Sequence, residues 1–476
     1  MFKDADEALR YVKDNDIRMV VFKIVDLAGR WHHLSIPAAR LSKKTFSDGI
    51  GFDGSSYGFA VLEKSDMIFR PDPSTAFLDP FCDEPTLSMI GDIYEIGEQV
   101  GRYASDPRYI AEKAEAYLAK TGIADRCILG PEFEFYVFDQ AAYRHTPNHS
   151  EYFIDTEEAE WNSGNRDEWN SGYKVPHHGG YHLALPHDVT HNLRSQISLL
   201  LEDMGCPVKY HHHEVGGPGQ VEIEVELGGL RDMADRSMLL KYVVRNAAVA
   251  AGKTATFMPK PIEGEAGNGM HVHFQLFNGS EPVFYDATGY SGLSKTALYA
   301  IGGLLKHSPA LLGLTNPSTN SYKRLVPGYE APVSICFATA NRSSVIRVPG
   351  YATQPEKKRF EFRPSDATTN PYLAYAALLM AALDGITNQI DPTAEGFGPY
   401  DVNVFDLPES ERMKIKALPK SLDEAADALE ADHAFLLAGG VFSEELIRTW
   451  LRRIRSDARK VGIAPHPLEY KLYYDL

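Results

Sequence analysis

The stretch Gln220-Val221-Glu222-Ile223-Glu224-Val225-Glu226 alternates apolar and acidic residues one by one. Three others repeat the pattern with imidazole or guanidinium added: Pro131-Glu132-Phe133-Glu134-Phe135, Met270-His271-Val272-His273-Phe274-Gln275 and Arg359-Phe360-Glu361-Phe362-Arg363. Successive residues of a strand point to opposite faces. Each stretch therefore sets its apolar side on a core and its Glu, His or Arg side against something else. Carboxylates are almost never gathered on one sheet face unless a cation neutralises them. One such strand is an ordinary solvated face. Four, with His and Arg mixed in, indicate a polyanion site bridged by metal.

At 476 residues the chain exceeds the size at which single cores stop growing, so two domains are expected. A hydrophobic share of 44% supports a sizeable core. The formal charge of −17 argues against binding to a nucleic-acid backbone, since no basic stripe offsets it, and leaves room for local Arg pockets. The cysteines, Cys82, Cys127, Cys206 and Cys336, are scattered without a CxxC pair. Neither a disulfide framework nor a zinc knuckle follows, and a reducing cytoplasm is the simpler expectation. The acidic start Met1-Phe2-Lys3-Asp4-Ala5-Asp6-Glu7 lacks the apolar run of a signal peptide, and no stretch is long and apolar enough to span a membrane.

Along the chain, an amphipathic helix over 5–14 is followed by a strand over 19–25 and a second ending at Ile36, joined by the turn Asp26-Leu27-Ala28-Gly29-Arg30. Short strand-like runs continue to Tyr94, so residues 1–105 read as a small mixed β domain. Ser105-Asp106-Pro107-Arg108 is a helix-capping signature, and the second domain, 106–476, starts there. In it the alternating strands are separated by helices predicted over 191–204, 230–251 and 370–388. Residues 140–178 read as an irregular surface insertion, and 421–460 as helix-rich. The aromatic tail from Leu468 hints at a subunit contact.

Oxygen-rich donors with occasional imidazole favour Mg²⁺ or Mn²⁺ over thiolate-bound zinc. Glu132 and Glu134 share one strand face, Glu222 and Glu224 another, and Glu214 follows the tract His211-His212-His213. Arg324, Arg342, Arg347, Arg359 and Arg363 fall within one short stretch, and guanidinium is the usual partner of phosphate and carboxylate. Metal with arginine is the equipment of phosphoryl transfer. Gly252-Lys253-Thr254 is not the end of a P-loop, because Ala247 stands where the first Gly is needed and a helix precedes it. Gly264-Glu265-Ala266-Gly267-Asn268-Gly269 leads into a strand, so it reads as a mobile loop bordering His271 rather than a dinucleotide fingerprint.

Phe52-Asp53-Gly54-Ser55-Ser56, Gly130-Pro131-Glu132-Phe133-Glu134-Phe135, His211-His212-His213-Glu214, the run from Lys253-Thr254 to Lys260-Pro261, the block from Asn316-Pro317 to Ala331-Pro332, and Asn341-Arg342-Ser343 together resemble type I glutamine synthetase, in order along the chain. The resemblance implies an α+β fold, with a β-grasp-like N-terminal domain and a catalytic domain built on a curved antiparallel sheet flanked by helices. It implies ATP as co-substrate, two or more Mg²⁺ or Mn²⁺ per site, and glutamate and ammonium as the other substrates. It also implies a dodecamer of two hexameric rings with active sites between subunits.

By the same resemblance, Glu134, Glu214 and Glu222 would hold one metal, and Glu132, His271 and Glu361 the second. Arg324 and Arg363 would bind glutamate, with the Gly267 backbone near its amino group. Arg342, Arg347 and Arg359 would contact nucleotide phosphates, Arg342 also serving catalysis, and His273 and Gln275 would line the ATP channel. Asp53 and Ser56 of a neighbouring subunit, with Tyr181 and Glu330, would form the ammonium site. Asp53 would act as base there, and Glu330 would sit on a covering loop. The sequence departs from the family pattern at Ala266 to Met270, at Lys209, Leu227 and Glu356, and at Phe405, which replaces the tyrosine of adenylylated members and so removes the hydroxyl that modification needs. Two other functions stay open at this level: a γ-glutamyl ligase acting on an organic amine, and a catalytically inactive ring serving as scaffold. The retained Asp53, Ser56 and Glu330 favour ammonium over the first, and the full set of metal ligands counts against the second.

Overall fold

The computed structural model describes residues 2–59, 65–167, 169–328, 331–402 and 404–476. The chain opens with a helix, Ala5–Asp14, started by Asp4, whose carboxylate accepts the Glu7 N–H at 2.9 Å. Seven strands then form the first sheet: β1 Met19–Val25, β2 Trp31–Pro37, β3 Ile50–Asp53, β4 Asp66–Pro71, β5 Phe77–Leu78, β6 Thr86–Ile96 and β7 Val100–Arg102. They run in the order β2-β1-β6-β4-β3, with β1 and β6 parallel at the centre, as a β-grasp-like domain requires. Val20, Phe22, Ile24, Phe69 and Met89 make its core.

The β1–β2 turn locks this sheet onto the rest of the molecule. Gly29 takes φ +75°, and a Cβ there would lie 2.8 Å from the Asn370 backbone. Asn370 in turn donates to the Asp26 and Leu27 carbonyls at 3.1 and 3.2 Å.

The second sheet is built from β8 Arg126–Phe138, β11 Val208–His213, β12 Gln220–Val225, β13 Gly228–Gly229, β14 Thr254–Thr256, β15 Val272–Asn278, β16 Glu281–Pro282, β17 Ser334–Thr339, β18 Ser344–Val348 and β19 Phe360–Phe362, while β9 Gln140–Thr146 and β10 His149–Asp155 form a separate hairpin. Its main path is β11-β12-β8-β15-β19-β18-β17. Pairing is antiparallel except between β17 and β18 at the edge, which run parallel. The apolar face of the alternating strands (Phe133, Phe135, Val221, Ile223, Val272, Phe274, Phe360 and Phe362) is buried against the helices Pro107–Thr121, Leu230–Ala250 and Pro371–Thr387. The last of these is apolar almost all round, as befits a helix enclosed by others.

Residues 140–178 differ from the expected irregular insertion, because β9 and β10 pair in full register there. Both faces of this hairpin meet solvent, so no apolar alternation marked it in the sequence. Lys253 makes ion pairs with Asp139 at 2.5 Å and Glu157 at 3.3 Å, a structural role in keeping with the rejected P-loop. Among the described residues no helix is long and apolar enough to cross a membrane.

Arg108 ties the two sheets together. Its buried guanidinium donates to Asp72 and Asp92 of the first sheet, both at 2.7 Å, and to Asp235 on the helix Leu230–Ala250 at 3.0 Å. Asp235 also accepts from the Tyr372 hydroxyl at 2.6 Å. Arg108→Met leaves Asp72 and Asp235 without their cation and Asp92 with Arg102 alone, and removing one partner of a buried ion pair costs about 3–5 kcal/mol. The urea midpoint of the variant is expected to fall accordingly. A midpoint indistinguishable from the parent would contradict this role.

Candidate active site

Strand register assembles the polar face. Paired residues in an antiparallel ladder point the same way, so the Cα pairs Glu222–Glu134 and Glu224–Glu132 place four carboxylates side by side across β12 and β8. His212 pairs with Glu222 on β11, and Tyr210 with Glu224. On the other side, His271 lies beside Glu132, and His273 on β15 pairs with Glu361 on β19, which pairs with Arg347 on β18. The result is one continuous row of carboxylate, imidazole and guanidinium across six strands, from β11 to β18.

A cavity of about 200 Å³ opens over this row. Its walls include Glu132, Glu134, Glu214, Glu222, His271, Gly267, Tyr181, Arg324, Arg342, Arg347 and Arg363. His273 and Glu361 are fully buried beside it. Gln275 and Arg359 are buried too, and Arg359 reaches the cavity through Tyr351, lying 5.5 Å from the centre of its ring. Asp53 and Ser56 are not among the lining residues, so one chain does not bring them to the cavity. Glu330 lies outside the described residues, as does the side chain of Phe405.

Two donor sets converge within this face. Ligand atoms of Glu132, His273 and Glu361 all lie within 4.8 Å of one another, and so do those of His212, Glu214 and Glu222. Each group contains one histidine outside the trio that the family resemblance implies. His273 rather than His271 stands with Glu361, while His271 Nδ1 is 2.9 Å from Glu132 and 4.0 Å from Glu134. His212 joins Glu214 and Glu222 in the tighter group, while Glu134 lines the same cavity and its Oε2 accepts the Gly269 N–H at 2.7 Å. His212 was not singled out inside its tract of three. Strand alternation was the available signal, since His211 and His213 face away to Arg194 and Glu158.

The electrostatics favour bound dications. Burial, with the charges of Glu132, Glu214, Glu134 and Glu224 added, holds the Glu222 carboxyl well above the usual carboxylate range. Burial pushes Glu132 the same way, but hydrogen bonds from His271 and His273 outweigh it and keep this group ionised. A face whose carboxylates cannot all ionise is short of positive charge, and a divalent ion among them removes the conflict. Buried atoms without a partner among the described residues point the same way: Glu224 Oε2, Gln275 Oε1 and the Nε atoms of Arg347, Arg359 and Arg363. Such guanidinium nitrogens suit phosphate or carboxylate oxygens.

Arg324 is held by carbonyls of Pro364 at 2.6 Å and Arg363 at 3.2 Å. Arg347 and Arg363 ion-pair with Glu361 at 2.9 and 2.5 Å. The glycine loop packs hard against this cluster: a Cβ on Gly269 would lie 2.5 Å from Arg324 Nη2 and 2.9 Å from His271 Nε2. Gln220 orients the loop by donating to Gly267 O and Asn268 Oδ1, both at 3.1 Å. Of the departures from the family pattern, Lys209 ion-pairs with Glu224 at 2.6 Å and Leu227 packs against Gly130.

A family model described as glutamine synthetase, catalytic domain, matches residues 104–473, and one described as glutamine synthetase, beta-Grasp domain, matches 16–96. Glutamine synthetase of Frankia alni is 47% identical over 480 residues, covering 100% of both chains. That of Aquifex aeolicus is 47% identical over 474 residues, covering 99% of each. Among solved structures, a Plasmodium falciparum glutamine synthetase superposes with a TM-score of 0.89 at 28% identity, covering 99% of each chain.

Proposed function

Because this chain belongs to the glutamine synthetase family, and to the type I kind of its bacterial relatives, we infer that its acidic sheet face carries the family's reaction. The enzyme is an ATP-dependent ligase that joins L-glutamate and ammonia into L-glutamine. The γ-carboxylate of glutamate attacks the γ-phosphate of ATP, and ammonia then displaces phosphate from the γ-glutamyl phosphate. The observation that carries the reading is the row of buried carboxylates with converging arginines.

In this reading, Glu214 and Glu222, with Glu134 or His212, hold one dication, and Glu132 and Glu361, with His271 or His273, hold the other. Oxygen and imidazole donors favour Mg²⁺ or Mn²⁺. Bound dications would neutralise the approach of one anion to another. Arg324 and Arg363 orient the glutamate carboxylate, with Gly267 beside the amino group. Arg342, Arg347 and Arg359 stabilise charge on the transferring phosphoryl group, and His273 and Gln275 border the nucleotide. Tyr181, at the cavity wall, marks the ammonium side, where a neighbouring chain supplies Asp53 and Ser56 and Glu330 covers the site. Residues 1–105 and 106–476 are proposed as the two domains, Asp106 capping the first helix of the second. A cytoplasmic location is proposed because all four cysteines are free.

The function is tested by the strict requirement of phosphate release for glutamate, ATP, ammonium and a dication together. Release that persists without glutamate would make the chain a simple ATPase.

A dodecamer of two rings is proposed with the C-terminal tail packed into a facing subunit. In the single chain Tyr474 is 82% and Leu476 95% exposed at the end of the helix Pro467–Tyr473. Deleting residues 468–476 is expected to yield a smaller particle by light scattering, and a full-size particle would refute the packing.

A further inference from the structure

At the rim of the cavity, apart from the carboxylate face, two imidazoles converge on one buried carboxylate. His177 Nδ1 lies 2.5 Å from Glu265 Oε1, and His178 Nδ1 lies 3.6 Å from Glu265 Oε2. All three donor atoms fall within 4.8 Å of one another. The Glu265 side chain is 5% exposed, whereas His177 and His178 are 58% and 38% exposed, so solvent reaches the open side. Neighbouring residues of an extended chain point apart. These two meet in a turn closed by the Gly179 N–H to the Pro176 carbonyl at 2.9 Å, in which His178 adopts φ +54°, a left-handed conformation that is uncommon outside glycine.

We propose that His177, His178 and Glu265 form a further metal site that takes a borderline transition dication of the zinc class. Two imidazoles and one carboxylate suit Zn²⁺, Co²⁺ or Ni²⁺, while the oxygen-rich face suits harder ions. The carboxylate is well positioned for this role. Gly217 packs so closely behind it that a Cβ there would collide with Oε1, and its N-terminal neighbour Gly264 passes within 3.6 Å of the His177 ring at the corresponding Cβ position.

A bound ion would clamp together two segments that continue directly into the cavity wall. One runs from His178 to Tyr181, the other from Glu265 to Gly267. Occupancy therefore sets the spacing of the two walls on the side assigned above to glutamate and ammonium. That consequence rests on the proposed function; the site itself does not.

The test uses the full-length oligomer, stripped with chelator and dialysed into excess Mg²⁺ so that the hard-ion positions are filled. Titration with Zn²⁺ is expected to load about one more ion per chain in the parent than in His177→Ala/His178→Ala. Co²⁺ is expected to give a visible d–d absorption in the parent that the double variant lacks. On the parent alone, Zn²⁺ is expected to protect His177 and His178 from diethyl pyrocarbonate, read by peptide mapping. Equal Zn²⁺ loading and identical Co²⁺ spectra in parent and variant would overturn the site, leaving a plain histidine–carboxylate hydrogen bond. Unprotected histidines would overturn it independently. Failure of phosphate release leaves these binding readouts intact, so the two proposals fail separately.

Discussion

Glu361→Gln is expected to lower phosphate release by about 10²-fold or more while the oligomer stays assembled. Glu361 is fully buried at the centre of the polar row, between Arg347, Arg363 and His273. Burial pushes its carboxyl up, but Arg363 and the other cations outweigh this and keep it below the usual range, so it is an anion in the native state. The glutamine variant preserves volume but removes the charge and one of the two acceptor oxygens that Arg347 and Arg363 use. It therefore separates loss of the proposed metal contact from loss of packing, which Glu361→Ala would mix. Losing one preorganised electrostatic contact at a reacting centre costs about 10²–10³ in kcat. Activity near the parent at saturating dication would remove Glu361 from the metal set.

Asp53→Asn is expected to spare glutamate phosphorylation and to slow amide formation by about 10²-fold, within the usual range for a general base. In the single chain Asp53 is solvent-exposed at the end of β3. Hydrogen bonds from the Ser55 side chain and backbone, and from Ser56, hold its carboxyl below the usual value. It is ionised at neutral pH and free to meet another subunit. Ammonium is almost wholly protonated there, so an anion is needed to bind it and take its proton. The apparent KM for ammonium should rise with ATP binding unchanged. Hydroxylamine, neutral at pH 7, should restore much of the turnover. Parent rates with ammonium would rule out Asp53 as the base.

The sheet face was legible because its period of two is written in residues that burial disfavours. Glu132, Glu134, Glu222 and Glu361 stand out between phenylalanines and β-branched neighbours. Register was not legible: nothing local says that β15 lies between β8 and β19, or that His273 meets Glu361. The same limit hid Arg108, whose partners Asp72 and Asp235 lie 36 and 127 residues away. The β9–β10 hairpin escaped because a strand pair without a buried face has no apolar rhythm to read. Asp53 is the opposite case, since its motif was plain in the sequence while a single chain leaves it outside the cavity lining.

The central claim is ligation of ammonia to glutamate, and product identity tests it most directly. The enzyme is supplied with glutamate, ATP, a dication, nitrogen-15 ammonium and an equal concentration of organic amines, and the products are read by mass spectrometry. Nitrogen-15 glutamine is expected as the dominant product, formed in step with phosphate. A γ-glutamyl amide of one of the organic amines, with labelled glutamine absent, would contradict the account.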